Sequence, residues 1–153
     1  MTVRVSTEDF DPAAEMASLA AAGDDGFPGA VVTFTGLVRD IAGDSRITAM
    51  TLEHYPGMTE AELNRIRDEA MSRWPLSRAI IIHRIGRLMA GEQIVFVGCA
   101  SPHRDAAFEA ARFMMDFLKT DAPFWKAEER DGDVTWVDAR ESDNTARARW
   151  QQD

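Results

Sequence analysis

Two β-prone apolar runs, RAIIIHRIG and EQIVFVGCA, constrain the fold of this chain most strongly, because they are joined by the short segment RLMAGE, whose last residue begins the second run. They predict two strands that follow each other closely. Ser101 and Pro102 come directly afterwards and predict the start of a long helix that continues to about Thr120.

Further strand candidates are TVRVS, AVVTFTGLV and ITAMTLEHY, while RDIAGDSR predicts a polar loop. The pair Asp131-Gly132 lies between PFWKAEER and VTWVDA and is a strong hairpin signal. Because the predicted strands outnumber the helices and hairpins are plausible, we predict an α+β fold with a mainly antiparallel or mixed sheet.

Two more helices are expected. Asp11 and Pro12 form an N-cap and first-turn pair for a helix that ends near Gly23. The segment TEAE, Thr59 to Glu62, predicts a capping box that opens a second helix, which runs to about Trp74 before Pro75.

Composition limits the class of protein. The chain has 153 residues, the length of one domain, and its formal net charge of -9 argues against broad binding to nucleic acid or to an anionic membrane. A small basic pocket for an anionic ligand is compatible with that charge. A single cysteine, Cys99, excludes an internal disulfide and favours a cytoplasmic setting. No signal peptide, membrane-spanning run, metal-ligand spacing or phosphate-binding loop stands out, so we expect no metal and no cofactor.

Lys119 and Lys126 are the only lysines of the chain, against fifteen arginines. Codon usage alone could leave two lysines anywhere, as solvated surface residues. Alternatively, these positions require an amine, since lysine can give up its proton when desolvated and arginine cannot. Pro123 predicts that the chain turns and extends after the long helix, which would put Phe124, Lys126 and Glu128 on one face of a strand. Neighbouring cations and partial burial would then lower the pKa of a lysine towards the range of a catalytic amine.

Two other stretches could bind an anion. In FTGLVRD, Arg39 follows the end of a strand, although a solvated loop arginine is the more common role. In ASPHRDAAF, His103 and Arg104 fall in the first turn of the long helix, where free N–H groups attract anions. A cation is unfavourable at the positive end of a helix, so His103 and Arg104 are better explained there if they bind a phosphate. The alternative is that both are simply exposed polar residues.

Four segments, taken in order, resemble a known family: GAVVTFTGLVRD, LEHYPGM, IIIHRIGRLMAGEQIVFVGCASPHRDAAF and MMDFLKTDAPFWKAEERDGDVTWV. They look like the catalytic, larger subunit of molybdopterin synthase, from about Val3 to Arg140. The resemblance implies one domain over residues 1–140, an α/β hammerhead with an added antiparallel β subdomain, followed by a polar tail over residues 141–153.

The same resemblance implies an enzyme, a sulfurtransferase that converts cyclic pyranopterin monophosphate to molybdopterin by adding two sulfurs. The sulfurs would arrive as a C-terminal glycine thiocarboxylate on a small ubiquitin-like partner, and the subunit would form a homodimer within a heterotetramer. Lys119 and Lys126 would be the catalytic pair. Substrate contacts are implied at both lysines and at Leu37, Val38, Arg39, His103, Arg104, Ala127 and Glu128. Ala127 stands where relatives often carry a basic residue, which leaves only a backbone role for it.

A non-catalytic module that binds a phosphorylated pterin or a ubiquitin-like tail is the competing hypothesis. An acyl-transfer or phosphate-ester enzyme is a further alternative, weakened by the absence of a metal site or nucleophile triad. The spacing also raises a geometric question. Arg104 and Lys119 share one face of the predicted helix but lie about 22 Å apart along it. A two-fold dimer could join them across an interface, whereas a single chain could do so only if the helix broke near its middle.

Overall fold

The computed structural model describes residues 2–42, 45–137 and 148–151. The helices of this part are α1 (Pro12–Ala20), α2 (Met58–Arg73), α3 (Arg104–Asp121) and a 3-10 turn (Arg149–Gln151). The strands are β1 (Val3–Ser6), β2 (Ala30–Leu37), β3 (Ile41–Ala42), β4 (Ser45–Arg46), β5 (Ala49–His54), β6 (Arg78–Arg84), β7 (Gly86–Met89), β8 (Gln93–Ser101), β9 (Phe124–Arg130) and β10 (Asp133–Val137). None of the described helices is long and apolar enough to cross a membrane.

The strands form two four-stranded sheets and one short hairpin. The first sheet has the order β1-β6-β8-β2, in which β1 runs parallel to β6 and the other pairs are antiparallel. The second sheet, β10-β9-β5-β7, is antiparallel throughout. The predicted α+β fold is therefore confirmed, and the second sheet corresponds to the added antiparallel β subdomain.

Helices cover both faces of the first sheet. Leu19 of α1 packs on one face beside Ile80, Ile82 and Phe96, while the other face meets α2 and α3 in the larger core. Successive residues of β6 and β8 point to opposite faces, so a strand buried on both faces must be apolar at nearly every position. This explains the two uninterrupted apolar runs.

Three local predictions need correction. The segment that joins β6 to β8 is not a simple link, since Gly86–Met89 forms β7 and pairs with β5 in the second sheet. The loop after β2 contains a small antiparallel ladder between β3 and β4. The third correction concerns the start of α2.

Helix α2 begins at Met58, one residue before the predicted cap. Its N-cap is Gly57, whose φ of 84° suits glycine, and the Glu60 carboxylate accepts a hydrogen bond from the Gly57 N–H at 3.2 Å. Thr59 instead lies inside the helix and is fully buried. Its hydroxyl accepts from the Tyr55 N–H and donates to the Pro123 carbonyl, each at 3.0 Å, which ties α2 to the start of β9.

The predicted hairpin at Asp131-Gly132 is confirmed. Both residues have positive φ, 49° and 86°, as a two-residue turn between antiparallel strands requires. The long helix ends at Asp121, and Ala122 is already extended before Pro123. The chain therefore passes directly from the end of α3 into β9 of the second sheet. Most of the predicted tail after Arg140 lies outside the described residues.

Candidate active site

A pocket of about 220 Å³ lies where the two sheets and the end of α3 meet. The first sheet and its following loop contribute Leu37, Val38, Arg39, His83 and Ile94, while the end of α3 contributes Leu118, Lys119 and Thr120. The second sheet contributes Met50, Phe124, Lys126, Glu128 and Val137, and the remaining wall residues are Ile41, Ile47 and Ala122. A site with walls from distant segments requires the complete fold.

The pocket brings together the only two lysines of the chain. Lys119 comes from the last turn of α3 and Lys126 from the middle of β9, and both are partly buried. As predicted from strand alternation, Phe124, Lys126 and Glu128 all line the pocket. Ala127 lies between them in sequence and is buried, but it does not line the pocket, so its side chain faces away.

Positive charge exceeds negative charge in the pocket wall. Arg39 is exposed at its rim, just after β2, and the two lysines add further positive charge. Glu128 is buried, and its Oε1 atom accepts a hydrogen bond from Arg130 Nη2 at 2.8 Å. Because Arg130 already balances this carboxylate, the pocket keeps a cationic character that favours anionic ligands.

His83 belongs to the wall, although the sequence analysis gave it no role. The residue is 2% exposed, and its ring stacks on Phe124, with the ring centroids 4.0 Å apart. Burial lowers the pKa of His83 to about 3, and the charges of Lys119 and Lys126 act in the same direction. The imidazole is therefore neutral at every pH at which the protein would work. The sequence feature that could have marked His83 is a histidine inside the apolar run IIIHR.

His103 and Arg104 lie elsewhere. Both are exposed at the opposite end of α3 from Lys119, and neither lines the pocket of the same chain. The helix between Arg104 and Asp121 is unbroken, so folding its two ends together is excluded. The other wall residues that the sequence analysis missed are mainly apolar, and no local pattern marks which apolar side chains border a cavity.

Cys99 is not part of this site. It is fully buried in β8, and its Sγ–H group donates to the Ala107 carbonyl at 3.1 Å. Burial raises the pKa of its thiol to about 11, so the thiolate form is rare near neutral pH.

Fold and pocket together define a class: an α+β protein with an anion-attracting pocket that carries two amine groups. The sequence matches the model of the MoaE protein family over residues 5–121. With this match and the relatives described next, the chain belongs to the MoaE protein family.

Similar proteins cover almost the whole chain. The molybdopterin synthase catalytic subunit of Rhizobium meliloti is 55% identical over 152 residues, which span 98% of this chain and 96% of that protein. The solved molybdopterin biosynthesis MoaE protein of Burkholderia ambifaria is 47% identical, with a TM-score of 0.82 and 99% of each chain covered. A complex of subunits 1 and 2 of the Helicobacter pylori molybdopterin-converting factor has a chain of the same fold, with a TM-score of 0.71, 16% identity and 92% of each chain covered.

Proposed function

We propose that this protein is the catalytic subunit of a molybdopterin synthase, a sulfurtransferase that adds two sulfurs to cyclic pyranopterin monophosphate. The observation that carries the proposal is the meeting of Lys119 and Lys126 in one pocket, although α3 holds the first and β9 the second. Surface lysines distributed by codon usage have no reason to converge in this way.

The sulfur comes from a partner in this proposal. The only cysteine is buried away from the pocket and its pKa is raised, which makes it a poor sulfur carrier. A small ubiquitin-like subunit with a C-terminal glycine thiocarboxylate would supply the sulfur instead. The cationic pocket suits the negative charge of such a tail. The Helicobacter pylori relative of this fold is itself known as a complex of two different subunits.

The lysines would serve the proton movements that accompany each sulfur transfer. An amine that lies in a partly buried, cationic site can release and take up a proton, whereas a guanidinium stays charged. Arg39 at the rim would bind the phosphate of the pterin as a permanent cation. Leu37 and Val38 would contact the substrate beside it, and Glu128 would do so from β9.

His103 and Arg104 enter this proposal through a second copy of the chain. They are exposed and do not line the pocket that holds Lys119, and the unbroken α3 places them at a fixed distance from that lysine. In a two-fold dimer, the start of one α3 can lie beside the end of the other. Each pocket would then receive His103 and Arg104 from the partner copy, within a heterotetramer that includes two sulfur carriers.

The direct test is reconstitution. The purified chain would be mixed with a thiocarboxylated ubiquitin-like subunit and the cyclic pterin, and the dithiolene product would be measured. Product formation that requires all three components would support the proposal. Binding of the pterin or of the carrier tail without any product would favour the binding module instead. Because the chain contains one buried thiol, we expect this reaction to belong in the reducing cytoplasm.

A further inference from the structure

The pocket wall contains a histidine whose orientation is fixed from two sides. The ring of His83 stacks on Phe124 at an interplanar angle of 23°, and its Nδ1 atom lies 2.8 Å from the Arg84 carbonyl oxygen. A carbonyl oxygen can only accept a hydrogen bond, so Nδ1 carries the hydrogen. In a neutral imidazole the other nitrogen, Nε2, is then left with a lone pair.

His83 lines the pocket, and Nε2 is the ring atom left to act as an acceptor. Among the described residues, the hydrogen bond of this ring is made by Nδ1 and not by Nε2. His83 is 2% exposed and lines the same pocket as Lys119 and Lys126.

The groups around this acceptor are mostly donors. The charged residues of the pocket wall are Arg39 after β2, Lys119 at the end of α3, and Lys126 and Glu128 on β9. Glu128 is engaged by Arg130. Of the two ammonium groups, that of Lys119 acts more strongly on the ring. Because the ring of His83 is held in one orientation, its neutral acceptor can fix the position of a nearby ammonium group.

We propose that His83 is a positioning residue for Lys119, whose ammonium group donates a hydrogen bond to His83 Nε2 when the lysine side chain turns into the pocket. This inference rests on the proposed function, because it assigns a task to the catalytic lysine. Since a hydrogen bond to the charged form favours that form, the acceptor keeps Lys119 in its ammonium state until a proton is required. The ring itself exchanges no proton.

Nuclear magnetic resonance tests the contact without any turnover. With ¹⁵N-labelled histidine, Nδ1 of His83 should show a protonated nitrogen shift and Nε2 a lone-pair shift. Replacing Lys119→Met should move the Nε2 resonance, because the donor is lost. Lys126→Met removes the same charge from the same pocket and should move it much less. Equal shifts in the two variants, or no shift in either, would overturn the proposal.

Kinetics of the reconstituted enzyme provide the second measurement. His83→Phe keeps an aromatic ring against Phe124 but removes the acceptor, and we expect kcat to fall by about tenfold or more while KM stays within about twofold. The limb of the pH–rate profile that reports Lys119 should shift to lower pH. His83→Gln restores an acceptor and should recover part of both effects.

A matched control is His54→Phe, because His54 lies on β5 outside the pocket, with its Nε2 atom 3.7 Å from Glu60 Oε1. It should leave the pH profile unchanged. If His83→Phe loses activity with an unshifted profile, the role of His83 is structural and the proposal is wrong. If the wild-type mixture forms no product, the proposed function fails, while the resonance experiment still decides the His83–Lys119 contact.

Discussion

The two four-stranded sheets differ in what covers them. In the first sheet, β6 and β8 are buried from their second residue to their last, because helices lie on both faces. In the second sheet, β10 is largely exposed, and Trp125, Val134 and Trp136 are 49%, 61% and 58% exposed. The first sheet is therefore enclosed by the core, whereas part of the second sheet presents side chains to its surroundings.

This difference explains where a polar pocket can exist. The double-sided core of the first sheet has little room for charged groups, since burying a charge without a partner costs several kcal/mol. In β9 of the second sheet, the exposed face carries Trp125, while Lys126 and Glu128 lie on the opposite face and line the pocket. The buried Glu128 is balanced there by Arg130. The pocket lies at the junction, where the first sheet supplies a buried wall and α3 and β9 each supply a lysine.

Two substitutions by alanine, one in each sheet, test this difference in burial most directly. Phe96 is fully buried in the first sheet, so Phe96→Ala should lower the free energy of unfolding by about 3–5 kcal/mol. Trp136→Ala in the second sheet should lower it by less than about 1 kcal/mol, because its ring is more than half exposed. Urea denaturation would measure both. A loss at Trp136 as large as that at Phe96 would show that the second sheet is covered in solution.

The next largest effect is expected on activity rather than stability. Lys119→Ala and Lys119→Arg should each reduce turnover by about a hundredfold or more, because the reaction requires an amine rather than a charge alone. Lys126→Arg should have a smaller effect. The matched control is Arg112→Lys, the reverse exchange on the exposed side of the same helix. Near-normal turnover in Lys119→Arg would mean that Lys119 acts only through its positive charge.

Complementation tests whether the pocket is shared between two copies. An inactive Arg104→Ala protein and an inactive Lys119→Ala protein would be mixed and allowed to exchange subunits. Half of the dimers would then be mixed and each would have one intact pocket, so about one quarter of wild-type activity should return. Absence of recovery, with exchange confirmed by mass spectrometry, would place Arg104 outside the active site.

The pH dependence of stability should reveal the buried imidazole of His83. The unfolded chain takes up a proton near pH 6.5, whereas folding lowers the pKa of this group to about 3. Protonation thus favours the unfolded state, and stability should fall as the pH drops through this window by up to about 1.4 kcal/mol per unit. His83→Gln should remove this contribution from the slope measured by urea denaturation. Identical slopes would mean that the imidazole is not buried in its neutral form.

The smallest effect is expected at Cys99. Because its thiol is buried and lies outside the pocket, Cys99→Ala should keep sulfur transfer within a few-fold of wild type. The accompanying loss of stability should be modest. Complete loss of transfer in a folded variant would mean that the Cys99 thiol takes part in the reaction.

Local sequence patterns predicted many individual elements. The apolar runs predicted β6 and β8, and Asp131-Gly132 predicted the hairpin between β9 and β10. Pro123 predicted the break between α3 and β9. The errors occurred where a long-range contact overrode a local signal. TEAE has the residues of a capping box, but the contact of Thr59 with Pro123, far along the chain, places this threonine inside α2.

Some features of the site were also determined by the sequence itself. Strand alternation fixes which residues of β9 share a face, so the spacing of Phe124, Lys126 and Glu128 is enough to group them. Because lysine is scarce in this chain, its two lysines stand out as candidate site residues. Both properties depend only on neighbouring residues or on composition, and they are therefore readable from the chain alone.

The tertiary structure decided which surfaces face each other. It transferred β7 to the second sheet, brought His83 against Phe124, and kept Arg104 at the far end of α3 from the pocket. These contacts join segments that are distant in sequence, and their free energy comes from packing that forms only when both segments are in place. No local propensity records such a contact, so the neutral histidine beside two lysines appears only in the folded molecule.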